Sequence, residues 1–135
     1  MSEIPKLADE NSLEKGPKRV LVADDGRNAA DILAMFFQLE GMETAVAYDG
    51  LDAVRQAELF DPHLVCMDLT MPLMDGYEAA RKIREISKDV ILVALSGWDG
   101  EEERHRAVDA GFEHYMVKPV KPVELRAMLA QCGIA

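Results

Sequence analysis

The sequence predicts an α/β fold: one five-stranded parallel sheet, doubly wound as (βα)5 with helices on both faces. Three observations carry that expectation. Short apolar runs recur with starts near positions 19, 43, 63, 90 and 113, so that successive strands are 24, 20, 27 and 23 residues apart. That is the length of a strand–helix unit, and five in succession predict a parallel sheet. Segments of helical period fill the gaps, and glycines and prolines stand at the joints.

The elements follow in order. Val20-Leu21-Val22-Ala23 reads as a strand buried on both faces, as do Leu64-Val65-Cys66-Met67 and Val90 to Leu95. Thr44 to Tyr48 and Glu113 to Val117 are shorter or interrupted by polar residues, which suits sheet edges. In the intervening helices Ile32, Phe36 and Leu39 share one face, as do Ala79, Ile83 and Ile86, and Leu125, Met128 and Leu129 recur in the last. Gly41 follows the first helix, Asp61-Pro62 precedes the third strand, Gly111 closes the fourth helix and Pro122 opens the fifth. A strand order of 2-1-3-4-5 would put the weak second strand at an edge and make strands one and three neighbours at the switch point.

Composition bounds the function. The 135 residues are 49% hydrophobic and carry a formal charge of -10, so the chain repels a phosphate backbone and direct nucleic-acid binding is not expected. No apolar run approaches a membrane span, and MSEIPKLADE is no signal peptide, so a cytoplasmic protein is expected. Cys66 and Cys132 form neither a disulfide framework nor a zinc spacing. His63, His105 and His114 are scattered, again without ligand spacing. Residues 1–17 are polar and aperiodic and read as a flexible leader or linker, leaving 18–135 as one domain.

Ligand sites in open parallel sheets lie at the carboxyl ends of the strands. Here strand one runs into Asp24-Asp25, strand three into Asp68, strand four into Ser96-Gly97 and strand five into Lys118-Pro119. Two carboxylates about 5 Å apart repel by roughly 3 kcal/mol at an effective dielectric of 20. Three need a cation or a raised pKa. With no His or Cys beside them, all-oxygen ligation favours a hard ion such as Mg²⁺ (or Mn²⁺) shared with a phosphate. Lys118 and Ser96 suit phosphoryl oxygens, and a carboxylate can itself be the nucleophile that becomes an aspartyl phosphate. The same residues taken singly have plainer readings: Asp24 or Asp25 as a helix cap, Asp68 as a turn cap, Lys118 as surface charge.

The ordered set Asp24-Asp25, Asp68 within MDLTMPLMDG, Ser96 within ALSG, and Lys118-Pro119 resembles the receiver domain of two-component response regulators, over about Lys18 to Gln131. The resemblance implies a flavodoxin-like fold and a phosphoacceptor signalling protein rather than an enzyme. It implies that Asp68 accepts a phosphoryl group from a histidine kinase or histidine phosphotransfer domain. Asp25 would bind the metal directly, Asp24 partly through water, and Thr70 through its backbone carbonyl. Ser96 matches the hydroxyl that turns toward the phosphate, Tyr115 the aromatic that moves with it, and Lys118 the lysine whose bond to Pro119 is cis in the family. Ser96 stands where Thr is commoner, and Thr70 at a position that varies. Trp98, two residues past Ser96, is expected to border the site. The face of the fourth helix, fifth strand and fifth helix is implied for a downstream partner, with a weak homodimer also open.

Two other readings compete. A pseudo-receiver, binding partners without phosphorylation, would normally have lost an acid or the lysine. A phosphatase of the haloacid dehalogenase type would carry a second Asp where Thr70 stands.

Overall fold

The computed structural model describes residues 16–134, so the leader expected over residues 1–17 lies almost wholly outside the described residues. Strands and helices alternate without exception. They run β1 (Arg19–Ala23), α1 (Arg27–Leu39), β2 (Glu43–Ala47), α2 (Gly50–Phe60), β3 (Leu64–Asp68), α3 (Gly76–Ile86), β4 (Ile91–Ser96), α4 (Glu101–Ala110), β5 (His114–Val117) and α5 (Pro122–Gln131). The five strands pair in the order β2-β1-β3-β4-β5, all parallel, as the sequence predicts. β3 is buried throughout, whereas β2 and β5 are partly exposed at the edges.

Alternation along the strands divides the core in two. Leu21, Val65, Met67, Leu92 and Ala94 face α2, α3 and α4, which meet them with Ala53, Ala57, Tyr77, Ala79, Ala80, Ile83, Ala107 and Ala110. Val20, Val22, Leu64, Cys66, Val93 and Leu95 face α1 and α5 and pack on Ala30, Ala34, Phe37, Leu125, Met128 and Leu129.

One assigned helix face is corrected. Ile32 and Leu39 are 67% and 85% exposed, and α1 instead buries Ala30, Ala34 and Phe37. The segment NAADILAMFFQL carries apolar residues around most of its circumference, so periodicity alone finds two stripes. The sheet takes the stripe that pairs two alanines with the ring of Phe37, which is fully buried. Similarly, Ile86 in the last turn of α3 is 44% exposed while Ala79 and Ile83 are buried.

Local chemistry sets the helix ends that frame the site. The Asp49 and Asp75 carboxylates accept the backbone N–H of Asp52 (2.7 Å) and Glu78 (2.9 Å) and cap α2 and α3. α4 opens on three glutamates, which suit the positive end of its dipole. α5 opens with Pro122 in its first turn and the Lys121 N–H donating to Glu124 at 3.2 Å.

Candidate functional site

The carboxyl ends of β1, β3, β4 and β5 converge on one crevice. Asp24 is 4% exposed, Asp68 7% and Ser96 8%, and these are the buried polar residues among those described. Asp25, next to Asp24, is exposed. Ligand oxygens of Asp24, Asp25 and Asp68 all lie within 4.8 Å of one another. Lys118, across the crevice on the loop after β5, bridges two of them, with Nζ 2.9 Å from Asp24 Oδ2 and 3.3 Å from Asp68 Oδ2.

The backbone holds these groups in place. Gly26 N–H donates to Asp24 Oδ1 (3.0 Å) and Thr70 N–H to Asp68 Oδ1 (3.1 Å), which leaves each Oδ2 facing Lys118. Asp24 thus serves the turn ahead of α1, whose N-cap is Gly26, so the capping reading does not account for the acidic pair. The Lys118–Pro119 bond is cis. Lys118 N–H donates to the Ser96 carbonyl at 2.7 Å, tying the end of β5 to the end of β4. Beyond β3 the chain turns sharply. Leu73 takes a φ of 70°, in a region unfavourable for a side chain, and Met74 N–H reaches back to Pro72 O at 2.7 Å. Gly76 is required there, because a Cβ would strike the Asp68 carbonyl and Leu69. Its absence lets α3 start directly against the strand that presents Asp68.

Ser96 Oγ accepts the Trp98 N–H at 3.0 Å, leaving the hydroxyl hydrogen to donate elsewhere. The Tyr115 hydroxyl donates to the Trp98 carbonyl at 2.7 Å, and the Arg104 guanidinium lies 4.5 Å from the Tyr115 ring centre. The 96–98 turn therefore links Ser96 to Tyr115 through the backbone of Trp98, whose indole leans over Gly100.

Burial pushes the Asp68 carboxyl up to about 6, aided by the neighbouring Asp24, with the Thr70 N–H and Lys118 pulling the other way. For Lys118 burial pulls downward, but Asp24 and Asp68 outweigh it and the ammonium is held above its ordinary range. Three carboxylates against one ammonium leave a formal charge of -2 when all are ionised. An all-oxygen donor set with that deficit fits a hard divalent cation.

One feature beside the crevice escaped the sequence reading. An apolar cleft of about 630 Å³ lies between α1 and the loop into α5. Ile32, Leu33, Phe36, Pro119, Val120 and Leu125 line it, and Asp24 and Lys118 border it. The surplus of apolar residues in α1 was its available signal.

Comparison with known proteins places this arrangement. The model of the response regulator receiver domain matches residues 20–130. An uncharacterized 14.6 kDa protein of Leptolyngbya boryana is 36% identical over 118 residues, covering 86% of this chain and 90% of its own. The transcriptional regulatory protein PrrA of Mycobacterium tuberculosis is 35% identical over 109 residues, 81% of this chain, but the match spans only 47% of its length. Relatives named as regulators are thus about twice as long as the matched region. Among solved structures, the receiver domain of Ssk1, co-crystallised with the histidine phosphotransfer protein Ypd1 of Saccharomyces cerevisiae, aligns with TM-score 0.81 at 28% identity, covering 87% of this chain and 90% of that one. The receiver domain of the sensor histidine kinase PA1611 of Pseudomonas aeruginosa, with a magnesium ion coordinated in its active site cleft, gives 0.79 at 28%, covering 87% and 98%.

Proposed function

Because the chain belongs to the response regulator receiver domain family, we propose that Asp68 accepts a phosphoryl group from a phosphohistidine and that the chain works as a signalling switch. The receiver unit in this reading is residues 18–135, acting in the cytoplasm; among the described residues no helix is long and apolar enough to cross a membrane. The observation that carries the proposal is the setting of Asp68. It is a buried carboxylate held by Thr70 N–H, 3.3 Å from an ammonium and beside two further carboxylates.

In the transfer an Asp68 oxygen attacks phosphorus as the P–N bond to the donor imidazole breaks, the ring nitrogen keeping the electron pair. Asp24, Asp25, Asp68 and the Thr70 carbonyl would hold Mg²⁺ (or Mn²⁺), which when bound neutralises charge on the phosphoryl oxygens. Lys118 stabilises the same oxygens from the other side, and Ser96 supplies a hydroxyl donor. A phosphoryl group on Asp68 would compete for Lys118 and Ser96. Movement of Ser96 would then disturb the Trp98 turn that Tyr115 holds, altering the surface of α4, β5 and α5 for a downstream partner.

The donor protein must cover the crevice to bring its histidine to a nearly buried carboxylate. We therefore assign the apolar cleft at α1 and the loop into α5 to the histidine kinase or phosphotransfer partner. Incubation with a phosphohistidine-loaded phosphotransfer protein and Mg²⁺ should move label to the chain, and to nothing in an Asp68→Asn variant. Label retained by that variant would sink the assignment. Ile32→Asp, on the exposed rim, should slow transfer from the protein donor about tenfold while leaving uptake from acetyl phosphate unchanged.

A further inference from the structure

The fold assembles a second donor cluster on the α5 side of the sheet, away from the phosphoacceptor crevice. Met128 and Cys132 are one turn apart, four residues, at the end of α5, and His114 opens β5 beneath them. Cys132 Sγ lies 3.3 Å from His114 Nε2 and 3.7 Å from Met128 Sδ. The thiol has one proton, so it can donate to only one of these neighbours. Thiol, thioether and imidazole are all soft or borderline donors.

Geometry and access both favour a bound ion. Sulfur and nitrogen donors at about 2.3 and 2.0 Å from one metal at tetrahedral angles stand about 3.5–3.8 Å apart, close to the 3.3 and 3.7 Å that separate Cys132 Sγ from His114 Nε2 and Met128 Sδ. Met128 is buried in the core between α5 and the sheet, and Cys132 is half-buried. Cys132 also lines a surface hollow of about 340 Å³ at the amino end of the sheet, which gives an ion a path inward.

We propose that Cys132, His114 and Met128 form a binding site for a single thiophilic monovalent metal ion, Cu(I) by preference. A thioether ligand argues against Zn²⁺, and a set of two sulfurs and one nitrogen against Mg²⁺ or Ca²⁺, which take oxygen ligands. Binding replaces the thiol proton by the metal–sulfur bond and releases that proton to solvent. The bound ion would tie the last turn of α5 to the start of β5.

The test is anaerobic titration of the reduced full chain with Cu(I) against a chromophoric Cu(I) chelator. One ion per chain is expected, weakened about a hundredfold in Cys132→Ser and about tenfold in Met128→Leu, a substitution that keeps the core volume. Cys66→Ser, at the buried cysteine of β3, should bind as wild type does. X-ray absorption should find two sulfurs and one nitrogen around the metal. The proposal is overturned if Cys132→Ser binds like wild type, if several weak ions distribute over the chain (adventitious ions only), or if Cys66→Ser is the variant that loses binding.

Discussion

The two ends of the sheet handle charge in opposite ways. At the amino end each guanidinium closes a set of local partners. Arg19 Nε donates to the Phe60 and Asp61 carbonyls at 3.1 and 2.9 Å. Arg84 donates to Lys88 and Gly111 carbonyls at 3.0 and 2.7 Å and pairs with Glu113 at 2.9 Å. At the carboxyl end Lys118 is shared between two buried carboxylates, a third stands beside them, and Asp68 is pushed up in pKa. The same five strands thus have one end where polar groups are satisfied for stability and another where charge is left over. Unsatisfied charge is where a ligand has the most free energy to gain.

The largest effects should come from removing the cation at each end. Arg84→Ala should cost about 2–3 kcal/mol, because several carbonyls lose a charged donor. Lys118→Ala should cost about 2 kcal/mol, less than a fully buried pair, since its side chain is partly exposed. Only the second should abolish phosphoryl uptake. Urea unfolding and acetyl phosphate labelling of both variants measure this, and loss of labelling in Arg84→Ala would erase the distinction.

A smaller effect runs in the stabilising direction. In the folded state Asp68 holds its proton up to about pH 6, against an ordinary carboxyl value of 3.8. Between those values the folded chain keeps a proton that the unfolded chain has released, so this group's contribution to stability falls as pH rises from about 4 to 6. Asp68→Asn should therefore melt at a higher temperature than wild type at pH 7 in chelator, and the two should converge near pH 4. A destabilised Asp68→Asn would contradict the burial and charge crowding that raise the Asp68 pKa.

Smaller still is the response to the metal itself. Mg²⁺ at ten times its dissociation constant should add about 1.4 kcal/mol and raise Tm. Asp25→Ala should lose that gain while Arg84→Ala keeps it, and differential scanning calorimetry separates the two.

Much of this contrast is legible in the sequence. Asp24, Asp68 and Ser96 each end an apolar run, a boundary that fixes both the strand and the end at which the side chain emerges. The regular spacing then gives the five units and, with β2 as the weakest strand, the order of the sheet. What is not legible depends on approach between distant elements. The helix α1 is apolar on more than one face, and the one that meets the sheet carries Ala30, Ala34 and Phe37, so Ile32 and Leu39 were misplaced. Cys132 and His114 are 18 residues apart, with no metal spacing, until α5 folds back over β5. Likewise the pairing of Lys118 with Asp24 spans 94 residues and exists only once β5 lies on the same side of β1 as β3 and β4.

The central claim is that Asp68 takes the phosphoryl group at a metal-dependent site. Intact-mass measurement after incubation with acetyl phosphate, with and without Mg²⁺, tests it most directly. The expected result is one added phosphoryl group in the presence of Mg²⁺, absent from the chelated sample and from Asp68→Asn. An adduct that persists in Asp68→Asn, or that forms equally well in chelator, would contradict it.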